Sequence, residues 1–342
     1  MDYWNLRTRS LAPYVPGEQP RDRKFIKLNT NENPYPPSPK VIEAIQEAAG
    51  EGLRLYPDPD CRILREAAAE AYGVDPEEVF AGNGSDEVLA FIFAAFFESA
   101  AEKGALPVLF PDITYSFYPV YAGLWDIPFR TLPLGEDFSL NPGDYMLPCG
   151  GVIFPNPNAP TGLALSPEAL LPVLSFQEER RRVVVLDEAY IAFGGQSAVP
   201  FIGAHPNLLT VHTLSKSASL AGLRAGFALG NRELIRGLCR IRDSFNSYTL
   251  DRLALAGAAA ALRDRAYYGG INRRVMATRE RVSAALVGLG FRVIPSSANF
   301  VFVSPPGQRG ADFFAALRDR GILVRHFDKP RTGDYLRVSI GT

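Results

Sequence analysis

The sequence predicts an α/β protein: a large domain with a mostly parallel sheet covered by helices, a smaller α+β domain at the C-terminus, and an N-terminal arm. Three observations predict it. Short, continuous apolar runs alternate with helical patterns as far as residue 242, as strands buried on both faces of a parallel sheet do. Beyond that point come two long helical stretches and then short strand-like runs around one helix. The first forty residues are rich in Pro, Asn and Arg and suit an arm better than a packed layer. The expected division is 1–40, 41–242 and 243–342; 342 residues, 47% of them hydrophobic, are enough for two cores.

Taken in order, "SPKVIEAIQEAAG" predicts a first helix, with Ser38 as N-cap, Pro39 in the first turn and Gly50 at the end. A second helix runs from Arg62 and stops at Gly73. Strand-like runs follow at Val79–Ala81, Val108–Phe110, Val152–Phe154, Val183–Leu186, Leu208–His212 and Gly226–Leu229. Helical patterns such as "SDEVLAFIFAAFFESA" and "SPEALLPVLSFQ" separate most of them. The C-terminal part opens with "DRLALAGAAAALRDR" and "NRRVMATRERVSAALVGLG". It continues with strands at Phe291–Ile294 and Phe300–Val303, the helix "ADFFAALRDRG", and strands at Ile322–Val324 and Tyr335–Ile340.

Bulk properties narrow the function. With 36 basic and 37 acidic residues, the chain lacks the basic footprint of a nucleic-acid binder. Cys61, Cys149 and Cys239 are odd in number and far apart, so no disulfide framework is expected and a reducing cytoplasm is. The three histidines, His205, His212 and His326, have no metal-ligand spacing. No apolar stretch of about eighteen residues occurs and "MDYWNLRTRSLAPYVPGEQPRDRKF" has no apolar signal core, so neither a membrane span nor a signal peptide is expected.

Open α/β sheets bind ligands beyond the carboxyl ends of their strands, so the residues after each apolar run matter most. After the first comes "GNGSDE", where free backbone N–H groups at a helix start (Ser85, Asp86) can hold a phosphate. After the second, "PDITYSFY" brings Tyr115 and Tyr118 to the same edge, where an aromatic can stack on a flat ligand. "PNPNAPTG" follows the third run with side-chain amides, and "DEAY" ends the fourth with Asp187 and, three residues on, Tyr190. The fifth leads into "HTLSKSASLAGLRAGFALG", with Ser215, Lys216 and Arg224 among small residues. Each cluster alone reads equally as a cap, a turn or core. Together, a phosphate nest, a stacking aromatic, a buried carboxylate and a nucleophilic lysine describe a site for a phosphorylated aromatic aldehyde, which pyridoxal 5′-phosphate satisfies.

At these residues the chain resembles the fold-type I pyridoxal-phosphate aminotransferases, and most closely the histidinol-phosphate aminotransferases. The similarity spans "KLNTNENPYPPSP", "LYPDPD", "GNGSDE", "PDITYSFYPVY", "PNPNAPTG", "VVVLDEAY", the Lys216 stretch, "SSANFVFV" and "LRVSIGT". It implies that Lys216 bonds the cofactor aldehyde and then carries a proton between the substrate Cα and the cofactor C4′. Asp187 is implied to lie against the pyridine nitrogen, Tyr190 to hydrogen-bond the 3′-oxygen and Tyr115 to stack on the ring. The phosphate falls to the Ser85 and Asp86 N–H groups, the Ser215 hydroxyl and Arg224. Tyr56 is implied to reach the phosphate of a neighbouring subunit's cofactor, which requires a homodimer with a shared site. Arg337 is implied to bind an anionic substrate group, Arg325 the substrate phosphate, and Asn33 to touch substrate from the arm. One departure stands out: the family has asparagine directly before "PTG", and here Ala159 holds that position, leaving Asn158 to take over through a shifted loop.

The function so implied is amino transfer between histidinol phosphate and 2-oxoglutarate by a ping-pong mechanism, in histidine biosynthesis. An aromatic amino-acid aminotransferase is the alternative, against which Arg325 speaks, since a phosphate dianion gains from two arginines and an aromatic side chain does not. A phosphothreonine-type decarboxylase on the same fold is more distant. A non-catalytic module that kept the fold is opposed by Lys216, Asp187 and Arg224 occurring together.

Overall fold

The structure is a computed structural model and describes residues 3–20 and 24–342. The arm carries a short helix, α1 (Leu6–Ser10), and a two-residue strand, β1 (Ile26–Lys27). Helix α2 (Pro39–Ala48) begins where Ser38 predicts, the serine oxygen accepting the Lys40 N–H. Helix α3 (Arg62–Tyr72) ends at Gly73, whose φ of 70° is the left-handed turn that glycine makes without strain. Then β2 (Val79–Asn83), α4 (Gly84–Phe96), β3 (Val108–Pro111), α5 (Tyr118–Leu124), β4 (Phe129–Leu132), β5 (Gly151–Pro155) and α6 (Leu171–Glu178) alternate. Strands β6 (Val184–Asp187), β7 (Leu208–Thr213) and β8 (Ala225–Gly230) complete the large sheet. Helices α7 (Arg232–Phe245), α8 (Arg252–Arg263) and α9 (Arg265–Gly288) lead to β9 (Arg292–Ile294) and β10 (Phe300–Ser304). Helix α10 (Gly310–Asp319) and strands β11 (Ile322–Leu323), β12 (Arg325–His326) and β13 (Leu336–Ser339) close the chain.

The large sheet has the order β2-β8-β7-β6-β5-β3-β4. Its strands are parallel except β8, which runs antiparallel to both neighbours. Alternate residues feed two apolar layers. Val152, Val184 and Leu208 pack with α3 and α8 (Leu64, Ala68, Ala254, Ala258), and Ile153, Val185 and Leu209 with α4 and α7 (Val88, Ile92, Ile235, Leu238). Each such Val, Leu or Ile contributes about 1.5–3 kcal/mol by leaving water, so a central strand is held on both sides. The edge strand β4 has no counterpart among the predicted runs. Phe129, Arg130 and Thr131 are exposed, so the strand never needed a continuous apolar pattern.

The smaller sheet is antiparallel, in the order β12-β13-β10-β9. The expected division at 242/243 falls inside α7, and α8 packs on α2 and α3 beneath the large sheet. The arm is tied to the C-terminal part of the chain. Strand β1 pairs in parallel with β11, and Asn29 and Asn31 are 2% and 1% exposed. Their polarity hid the burial: these side chains are buried because they hydrogen-bond rather than because they are apolar.

Candidate active site

Because β8 returns directly beside β7, the connection from Leu214 to Arg224 is a compact turn at the carboxyl end of β7, next to the ends of β6 and β5. Two non-glycine residues in it take left-handed backbone, Ser219 (φ 58°) and Arg224 (φ 54°). Lys216, Ser215 and Arg224 from this turn face one pocket with Asp187 and Tyr190 from β6 and its loop, Tyr115, and Ser85 and Asp86 at the start of α4. Eight of the expected site residues are therefore brought together.

The Lys216 Nζ donates to the Thr30 carbonyl at 3.0 Å, and Asn33 Nδ2 donates to the Lys216 carbonyl at 3.0 Å. Asn33 thus braces the lysine backbone. Its oxygen is also occupied, accepting the Tyr35 N–H at 3.1 Å.

Asp187 is buried, and its Oδ2 accepts the Tyr118 hydroxyl at 3.1 Å while Oδ1 accepts the Ala189 N–H at 3.2 Å. Burial pushes its carboxyl up to about 6, against the pull of those two bonds and of the Lys216 charge. A cation placed against it would restore the charged form. Glu188, next along the chain, is also buried and pushed up to about 7 by desolvation. It accepts Ser197 Oγ at 2.5 Å and the Ala198 N–H at 2.8 Å, and lies 3.6 Å from His212 Nε2. Burial holds His212 neutral, down to about 3.

At the helix start, the first N–H groups of α4 have no partner within the helix. Gly84 and Gly226 keep the approach to them open. Gly84 has φ 77°, and a Cβ there would meet Arg224 Nη2 at 2.8 Å. A Cβ on Gly226 would lie 2.4 Å from the Ser85 nitrogen. The Thr213 hydroxyl donates to Ser215 Oγ at 3.0 Å, leaving the Ser215 proton free to point elsewhere. Arg224 Nη2 meets Asp86 Oδ2 at 2.7 Å, and Tyr115 donates to Asp86 Oδ1 at 2.8 Å. The Asp86 side chain, which the sequence reading did not use, therefore orients both the arginine and the aromatic.

In the smaller sheet, the ladder register sets Arg325 of β12 directly across from Arg337 of β13. Arg337 Nη2 donates to the Asn29 carbonyl at 3.0 Å, and its buried Nε has no partner among the described residues. Arg325 Nη2 donates to the Val15 carbonyl at 3.2 Å. The Phe327 ring lies 5.7 Å from one guanidinium and 5.5 Å from the other.

Five expected residues do not line this pocket: Asn33, Arg325 and Arg337, placed above, and Asn158 and Tyr56. Asn158 is turned away: its Nδ2 donates to the Ile113 carbonyl at 3.2 Å and to Thr161 Oγ1 at 2.9 Å, while Ala159 lines the pocket instead. The Asn158 Nδ2 thus holds its own loop, while the buried Oδ1 has no partner among the described residues. Tyr56 is 78% exposed and stacks on Tyr248 with ring centroids 4.6 Å apart, outside the pocket of its own chain. Thr30 and Asn31 reach the site's residues without having been singled out for a role, and Tyr118, expected at this edge beside Tyr115, serves as a donor to Asp187. Only the run "LNTNEN", polar yet bounded by structured segments, signalled the first two.

The donor set fits pyridoxal phosphate. Two glycines hold open a cradle over helix N–H groups, a free hydroxyl and a guanidinium face it, and a buried carboxylate and an amine line the same pocket. Residues 23–342 match the model of the aminotransferase class I and II family, and the chain belongs to that family. Within it, the chain is 55% identical to histidinol-phosphate aminotransferase 1 of Bordetella parapertussis over 343 residues, 99% of this chain and 94% of that one. It is also 55% identical to the histidinol-phosphate aminotransferase of Clostridium acetobutylicum over 340 residues, 99% and 95% of the two chains. These relatives place it in the histidinol-phosphate aminotransferase branch. Among solved structures, histidinol-phosphate aminotransferase from Sinorhizobium meliloti in complex with pyridoxal-5′-phosphate superposes with a TM-score of 0.86 at 25% identity, covering 100% of this chain and 94% of that one. Aspartate aminotransferase from Thermus thermophilus has the same fold, with a TM-score of 0.84 at 21% identity over 100% and 96% of the chains.

Proposed function

We propose that this chain moves an amino group between histidinol phosphate and 2-oxoglutarate, with pyridoxal phosphate bound at Lys216, in histidine biosynthesis. The observation that carries the substrate choice is the pair Arg325 and Arg337, facing each other across one ladder, with the buried Arg337 Nε left without a partner among the described residues. Two guanidiniums so close repel each other unless an anion lies between them. Each substrate brings one: a phosphate in histidinol phosphate, carboxylates in glutamate.

When bound, the cofactor supplies a ring that accepts the electron pair left by the substrate Cα–H bond. The protein's part is to place groups and protons around it. With the cofactor bound, the Lys216 amine would be the group that carries a proton between the substrate Cα and the cofactor C4′. Asp187 keeps the ring nitrogen protonated, and its burial strengthens that charge pairing because little water screens it. Tyr190 donates to the ring oxygen, Tyr115 covers one face, and the Ser85 and Asp86 N–H groups, Ser215 and Arg224 hold the phosphate. Asn33 acts on the lysine backbone, as its bonds support.

A homodimer completes this reading, with Tyr56 reaching the partner's phosphate. Leu53, Leu55, Tyr56, Phe245 and Tyr248 are exposed and apolar, as surfaces that pair are. The protein is expected to work in the cytoplasm; no helix among the described residues is long and apolar enough to cross a membrane.

The test compares kcat/KM for histidinol phosphate, phenylalanine and tyrosine with 2-oxoglutarate as acceptor. Histidinol phosphate is expected to lead; a higher value for phenylalanine makes the protein an aromatic aminotransferase instead. Borohydride is expected to fix the cofactor to wild-type protein and not to Lys216→Ala. A protein that takes up no pyridoxal phosphate overturns every enzymatic reading.

A further inference from the structure

We infer that Asn31 is a positioning residue for this reaction: its side-chain amide fixes the Tyr190 hydroxyl as a donor toward the ligand. The inference rests on the reading above, in which Tyr190 serves the cofactor's ring oxygen.

Asn31 Nδ2 lies 3.0 Å from the Tyr190 oxygen, and both residues are buried. Which end of the amide faces the tyrosine is decided on the other side. Ser339 Oγ accepts the Asn31 backbone N–H at 2.9 Å, and its own proton goes to Asn31 Oδ1 at 2.9 Å. Among the described residues that oxygen is the acceptor the structure gives the buried Ser339 hydroxyl, so rotating the amide would leave the proton without one. The NH₂ end is therefore held toward Tyr190.

The backbone is held as firmly. Asn31 has φ 55°, a left-handed conformation that asparagine tolerates better than most residues, and Asn299 Nδ2 fixes its carbonyl at 2.9 Å. The Tyr190 ring is steadied edge-on against Phe300, centroids 5.1 Å apart. A phenol oxygen that receives a proton from an amide NH₂ cannot give its own proton back to that group. The Tyr190 proton is thus directed elsewhere, and Tyr190 lines the pocket with Lys216 and Asp187. The polarity of Tyr190 is set by Ser339 through Asn31, before any ligand arrives.

The consequence is readable in the colour of the protein. A donor at the ring oxygen draws off its negative charge, and that charge is what holds a proton on the nitrogen joined to Lys216. A weaker donor leaves more charge on the oxygen, so that nitrogen keeps its proton to higher pH. In the purified holoprotein, Asn31→Gly removes the amide while keeping the left-handed backbone. It should raise the pH midpoint of the visible absorbance change by about half to one unit. Ser339→Ala, which frees the amide without touching it, should raise it less, and Tyr190→Phe at least as much as Asn31→Gly. In the Tyr190→Phe background, Asn31→Gly should add nothing. A midpoint unchanged in both Asn31→Gly and Ser339→Ala, or one that moves equally without the tyrosine hydroxyl, overturns the inference while leaving the function standing. A protein that never takes up pyridoxal phosphate sinks both.

Discussion

Arg325 and Arg337 sit opposite each other on antiparallel strands, two cations in register on the face of a four-stranded sheet. Like charges directly opposite cost stability, so the arrangement makes sense as a seat for an anion. Arg325→Ala should lower kcat/KM for histidinol phosphate by about 30-fold, the loss of roughly 2 kcal/mol of charge-assisted bonding, and affect glutamate much less. Steady-state kinetics on both substrates check it; equal losses would remove the phosphate from Arg325.

Asp187→Asn should separate chemistry from folding. The asparagine is neutral, so burying it costs less than burying a carboxylate that burial already pushes up to about 6. Amino transfer should fall at least about 100-fold, the scale on which lost electrostatic support is felt. The melting temperature should hold or rise. A large drop in stability with little loss of rate would contradict the role given to Asp187.

Glu188 predicts a pH dependence of stability. Its carboxyl is raised from 4.5 to about 7, so the folded protein holds a proton that the unfolded chain releases. The stabilisation is complete below about pH 4.5 and is lost as pH rises through about 7. In Glu188→Gln that loss disappears. Wild-type and variant stabilities, measured by denaturant titration of the cofactor-free protein, should therefore diverge between these two values in favour of the variant. Parallel curves across the window would show that Glu188 does not titrate there.

Gly226→Ala tests the cradle. Its new Cβ falls 2.4 Å from the Ser85 nitrogen, closer than any side chain tolerates. The shift it forces should cost about 1–3 kcal/mol of stability and weaken pyridoxal phosphate binding, read by thermal melting and by cofactor titration. Unaltered cofactor affinity would place the phosphate elsewhere.

Much of this site was legible because it follows buried strands. Continuous apolar runs end abruptly at Asp187 and before Lys216, and the change of residue type marks the edge where ligands bind. What stayed hidden has a common physical character. Strand β4 is half exposed and carries no apolar run; the antiparallel sense of β8 depends on a turn built by Ser219 and Arg224 in left-handed backbone, which their residue types do not announce. Asn31, Thr30 and the Asp86 carboxylate act through hydrogen bonds to residues far away in the chain, and no local periodicity records such partners. The bonds of Asn158 Nδ2 to Ile113 and Thr161 are of the same kind.

The bond between Asn31 and Ser339 spans 308 residues. Contacts so distant along the chain form late, after the segments between them have been synthesised and folded. Lys216, held by Thr30 one residue away from that bond, has its finished surroundings only once β13 has docked against the arm. The arm and β13 therefore build the neighbourhood of Lys216 jointly, and neither is finished without the other.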